Sequence, residues 1–160
     1  MRDWNNFYML FGSTAGTLIG LTLCISLGAE HAKPGDEERK RIFVTPVLVH
    51  FASLLLIALA TLAPASNVLR ACILGAIGCV GLAYVPNLAL LAKKRIKECE
   101  REFFWDALPP LAAYVCILVS AAAWLLGASF AENAGAVASV LLLVTALRNS
   151  WAITLAIINR

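Results

Sequence analysis

Residues 134–158 read AGAVASVLLLVTALRNSWAITLAII, an unbroken apolar run with one charge in it, Arg148. A helix needs ~20 such residues to cross a bilayer, and the polar positions do not recur at a spacing that would wet one face. Four more stretches share this character: residues 7–28, 43–63, 68–91 and 107–129. The chain is 61% hydrophobic and 14% charged, too few polar groups to coat a soluble domain of this size. What remains is a short N-terminus, a loop over 29–42 and a basic segment over 93–106. The expected fold is an all-α integral membrane helical bundle, one transmembrane domain of five helices over residues 1–160. The first stretch is read as a retained span. It is long for the apolar core of a secretory leader, and Arg2 stands beside Asp3 instead of in a basic cluster.

Basic residues set the expected orientation. Lys33, Arg39, Lys40 and Arg41 follow the first stretch, Lys93, Lys94, Arg95, Lys97 and Arg101 follow the third, and Arg160 ends the chain. The opposite side carries only Arg2 and Arg70. Lysine and arginine in short loops are retained on the cytoplasmic side, so the N-terminus is expected outside and the C-terminus in the cytoplasm. The basic segment alternates with Glu98, Glu100 and Glu102, a solvated or lipid-headgroup pattern, so nucleic acid is not an expected partner.

Short links at residues 64–67 and 129–133 make the second and third, and the fourth and fifth, helices antiparallel neighbours. Lys33-Pro34-Gly35-Asp36 signals a turn, with a helical lead-in after it. Residues 93–106 extend the third helix before Phe103, Phe104 and Trp105 re-anchor the chain, opposite a belt of Trp4, Phe7 and Tyr8. The halves show no repeat, which argues against an inverted-repeat transporter. The five cysteines form no CxxC pair, so they are read as buried packing thiols. No metal site or cofactor is expected: Glu30, His31 and Asp36 match no ligand motif. Without a nucleophile–base pair, the chain is not expected to be an enzyme.

Gly12, Gly16 and Gly20 repeat every four residues and continue to Cys24 and Gly28. Residues four apart share a helix face, so this face lets another helix approach closely. The partner is either a helix of the same chain or a second copy. The third helix offers a matching small face at Ala71, Gly75, Cys79 and Ala83, and the two can meet.

Depth organises the polar residues. Arg148 lies ten residues before Ile158, ~15 Å along a helix. Thr17, His50, Asn87, Tyr114 and Thr145 fall near the same leaflet, and Pro86 disrupts the bond to the Leu82 carbonyl. A charge at such depth is costly and marks a functional candidate. No carboxylate stands within the five stretches. Either the guanidinium bonds Leu82, Asn87, Tyr114 or Thr145 and locks the bundle, or it faces water and attracts an anion. His50 is read as a core histidine bonded to Ser53 or a carbonyl, with a pH-sensing role as the alternative.

Trp4, Phe7 and Tyr8 followed by Gly12, Gly16 and Gly20, together with Leu147-Arg148-Asn149-Ser150-Trp151, resemble a group of small, uncharacterised bacterial multi-spanning membrane proteins. The likeness covers the two end helices and implies no activity. It implies a bacterial cytoplasmic (inner) membrane location. Related sequences often place an acid after the tryptophan, whereas Ala152 follows Trp151 here. The expected function is an oligomeric channel or pore-like protein for ion transport, favouring a small anion. Arg148 sets the charge; Thr17, His50, Asn87, Tyr114 and Thr145 line the path; Gly12, Gly16, Gly20 and Gly75 pack helices. The alternative is a structural or accessory subunit of a larger membrane complex.

Overall fold

A computed structural model describes the backbone of residues 2–28, 36–95 and 100–158, and the side-chain surroundings of residues 4–24, 45–87 and 107–151. Among the described residues it holds five helices: α1 (Arg2–Gly28), α2 (Asp36–Leu62), α3 (Asn67–Arg95), α4 (Glu100–Leu125) and α5 (Ala131–Ile158). All five are long and apolar enough to cross a membrane. The Lys33-Pro34-Gly35 turn, the side chains of Glu30, His31 and Asp36, and the Phe103–Trp105 anchor lie outside the described surroundings.

Helices α2, α3, α4 and α5 form a ring in which α3 packs on α4, α4 on α5, and α5 on α2, while α2 and α3 meet more lightly. Helix α1 stands outside the ring against α2, touches α5, and makes no backbone approach to α3 among the described residues. The centre is filled by Phe51, Leu54, Ile57, Leu74, Tyr114, Ile117 and Leu142, each buried. The short links lie at one end of the bundle, called here the turn end. The end carrying Lys93, Lys94 and Arg95 is the basic end.

Local chemistry explains the turn end. Ser66 Oγ accepts the Leu69 amide proton at 3.3 Å, the N-cap role of a serine just before a helix. Arg70 donates to the Ala63 carbonyl at 3.0 Å and lies 4.9 Å above the Trp124 ring. Helix α4 ends four residues earlier than the apolar run suggests. Gly127 adopts φ +65°, the Ala128 amide bonds the Ala123 carbonyl at 2.9 Å, and the Gly127 amide bonds Trp124 at 3.3 Å. That is a Schellman stop, which needs a left-handed residue and therefore favours glycine. The α4–α5 link is thus residues 126–130, not 129–133, and α5 starts at Ala131. At the basic end, α2 begins at Asp36, matching the expected helical lead-in, whereas α3 ends at Arg95 and residues 100–106 belong to α4 instead of extending α3.

Tyr8 ties α1 to the ring. Its hydroxyl donates to the Glu132 carbonyl at 2.8 Å. A side chain on Gly135 would collide with that hydroxyl, and the nearby Ser120 hydroxyl donates to the Ala131 carbonyl at 2.7 Å. Tyr8 is therefore a core residue and not only a belt aromatic.

Candidate functional site

The side chains with chemistry divide into a buried set and an exposed set. In the buried set, Tyr114 of α4 reaches across the ring to α2. Its hydroxyl lies 3.1 Å from His50 Nδ1 and 3.2 Å from Ser53 Oγ. The Ser53 hydroxyl also lies 2.8 Å from the Val49 carbonyl, to which it donates. His50, Tyr114 and Ser53 thus form one hydrogen-bonded chain joining α4 to α2, the kind of mutual satisfaction a buried polar network requires. Helix α3 makes room for it: a Cβ on Gly81 would overlap the Tyr114 ring, and one on Gly78 would lie 2.5 Å from Leu118.

Thr145 is also buried, but its hydroxyl returns to the Leu141 carbonyl of its own helix at 2.7 Å. Thr17 and Asn87 are exposed and likewise bond their own helices, Thr17 to the Ser13 carbonyl at 3.0 Å and Asn87 to the Ala83 carbonyl at 2.8 Å. Arg148 is exposed on the outer face of α5 beside Val144, Leu147 and Trp151, and it is not without a partner. The six polar candidates therefore do not line one interior cavity of a single chain. His50 and Tyr114 meet; Thr17, Asn87 and Arg148 face outward.

Arg148 lies ~25 Å along α5 from Ala131. This places residue 148 in the half of α5 toward the basic end.

The packing glycines divide as well. A Cβ on Gly12 would meet the Ala58 side chain at 3.0 Å, whereas Gly16, Gly20 and Gly75 have nothing within 4 Å of that position. The close-packed face of α3 runs through Ala71, Leu74, Gly78 and Gly81. Cys79 and Ala83 point outward, so the α1 and α3 small faces do not meet. Cys24, Cys72 and Cys79 are exposed and Cys116 is half-buried, which corrects the reading of these four thiols as buried; Cys99 lies outside the described residues. Among the described residues no three His, Cys, Asp or Glu side chains group to hold a metal.

Sequence reasoning paired His50 with Ser53, whereas the structure brings both onto the Tyr114 hydroxyl, and it missed Gly78 and Gly81. Their signal was present as Gly75-x-x-Gly78-x-x-Gly81, since three-residue spacing also keeps residues on neighbouring positions of one face. Comparison with protein families, with curated proteins and with solved structures finds no match to this chain.

Proposed function

We propose that this chain is the protomer of a homo-oligomeric membrane channel whose water path runs between copies and favours anions through Arg148. One observation carries the reading. The ring interior is filled by large side chains, with Tyr114, Ile117 and Leu142 wholly buried, while Ser13, Gly16, Thr17, Gly20 and Arg148 face outward. A path lined by polar groups then uses outer faces, and a small-residue face on α1 suits close approach of another helix. A guanidinium at a constriction raises the local concentration of anions and repels cations. In this reading the chain resides in a bacterial inner membrane, with the basic end in the cytoplasm.

The rival reading, an accessory subunit of a larger complex, is favoured by the one-sided packing of α1. Its Gly16 and Gly20 leave open space that a foreign helix can fill as well as a second copy. The mass of the purified detergent particle and anion flux in liposomes separate the two. The channel reading expects an oligomer and an anion flux that falls in Arg148→Gln. A monomer, or flux and anion preference unchanged by Arg148→Gln, contradicts it. Co-purification with unrelated chains supports the accessory role.

A further inference from the structure

Two buried side-chain polar atoms among the described residues have no hydrogen-bond partner in the protein: Arg70 Nε and the Tyr84 hydroxyl. Their surroundings differ. The Arg70 guanidinium still donates to the Ala63 carbonyl and lies over the Trp124 ring, so its charge is engaged at the turn end. The Tyr84 hydroxyl engages nothing, and Tyr84 lies inside the apolar span Asn67–Asn87 of α3. An unbonded buried hydroxyl is costly, and folded proteins satisfy such groups with a protein partner or an ordered water.

The position of Tyr84 narrows the choice. Tyr84 follows Gly81 by three residues, so the two are neighbours on the surface of α3. Long helical side chains lean toward the N-terminus of their own helix, which directs the Tyr84 ring back toward Gly81. A Cβ on Gly81 would overlap the Tyr114 ring, so Tyr114 stands at that level. The two phenols are close enough for charge on one to act on the other, yet they do not bond directly. Both have bonding capacity left. A phenol oxygen offers one proton and two acceptor sites. Bonds to His50 and Ser53 use two of the three on Tyr114, and Tyr84 uses none. A guest between them must be small, because the Tyr84 oxygen is closed off from the surface. It needs no charge, because a phenol is uncharged at neutral pH. Water donates and accepts, and a buried water needs roughly two to four polar partners. The two hydroxyls supply the minimum.

We propose that the Tyr84 and Tyr114 hydroxyls hold one internal water molecule, which links α3 to the His50–Tyr114–Ser53 chain. Helices α2, α3 and α4 then share one hydrogen-bonded cluster inside the protomer. This inference goes beyond the channel reading and does not depend on Arg148.

Tyr84→Phe tests it in the full chain, because the sign of the stability change depends on whether the hydroxyl is bonded. With the water in place, phenylalanine removes a hydrogen bond, and the folded-to-unfolded ratio in mixed micelles should fall by about 2- to 10-fold. With the hydroxyl unbonded, phenylalanine removes a buried polar group that has no partner, and the ratio should rise. A second measurement identifies the partner. Infrared difference spectra between the native chain and Tyr84→Phe are recorded in ordinary water and in water enriched in the heavy oxygen isotope. An internal water gives an O–H stretching band that the variant loses and that the heavier oxygen moves to lower frequency. A phenol band does not move, since its oxygen does not exchange with solvent. The expected result is the fall in stability together with the isotope-sensitive band. An unchanged or raised ratio overturns the proposal. So does a fall without an isotope-sensitive band, which would assign the Tyr84 hydroxyl to a protein partner.

Discussion

Gly81→Ala should destabilise this bundle far more than the same change at Gly16 or Gly20. A Cβ at Gly81 falls within the Tyr114 ring, overlapping Cγ, Cδ1 and Cε1. Tyr114 is completely buried and its hydroxyl is held by His50 and Ser53. The ring therefore cannot swing aside without releasing both hydrogen bonds, and α3 cannot back away without opening its face on α4. Overpacking a filled interior costs ~1–3 kcal/mol. Each hydrogen bond between membrane helices averages ~0.6 and reaches ~1.7 kcal/mol. Alanine returns ~1 kcal/mol over glycine in helix propensity. The net loss is ~1–5 kcal/mol. At Gly16 and Gly20 nothing lies within 4 Å of the added carbon, so within the protomer alanine is neutral or stabilises by up to ~1 kcal/mol. The assay is reversible unfolding in mixed micelles, followed by helix signal across a denaturing-detergent titration. Tyr114→Ala removes the obstacle, so adding Gly81→Ala to it should cost little more. A Gly81→Ala protein as stable as the parent, or no less stable than Gly16→Ala, refutes the packing described here.

Two further substitutions probe the turn end. Gly127→Ala forces a left-handed conformation on a residue with a Cβ and should cost ~1–2 kcal/mol in the same titration. Arg70→Leu removes the bond to the Ala63 carbonyl and the contact over Trp124. A loss of ~1–2 kcal/mol is expected, with a change in tryptophan fluorescence that Arg70→Lys reverses only in part.

The five helices were legible because each apolar block is long enough to be read by length alone, and the short links between them left little freedom in how neighbours pair. Where α4 stops was less legible. Apolar residues continue through Leu126 and Ala128, and the stop depends on the backbone conformation of Gly127, which hydropathy does not report. His50 and Tyr114 were both singled out, yet their contact spans helices that are not neighbours in sequence. No periodicity on either helix encodes that register. Arg148 shows the same limit from another side. Helix α5 is apolar on nearly every face, so nothing in its pattern distinguishes the inward face, through Ala138, Leu142 and Ala146, from the outward one, through Val144, Leu147 and Trp151. On α1 the repeat showed small residues on one face but not what packs on them: Gly12 approaches Ala58, whereas Gly16 and Gly20 have nothing within 4 Å.

The central claim is that the positive charge at residue 148 selects what crosses between copies. Reversal potentials of the reconstituted protein under a salt gradient test it directly, comparing the native chain with Arg148→Gln and Arg148→Glu. The account predicts an anion-selective potential that collapses toward zero with glutamine and changes sign with glutamate. The same potential in all three proteins, or no conductance in any, contradicts it.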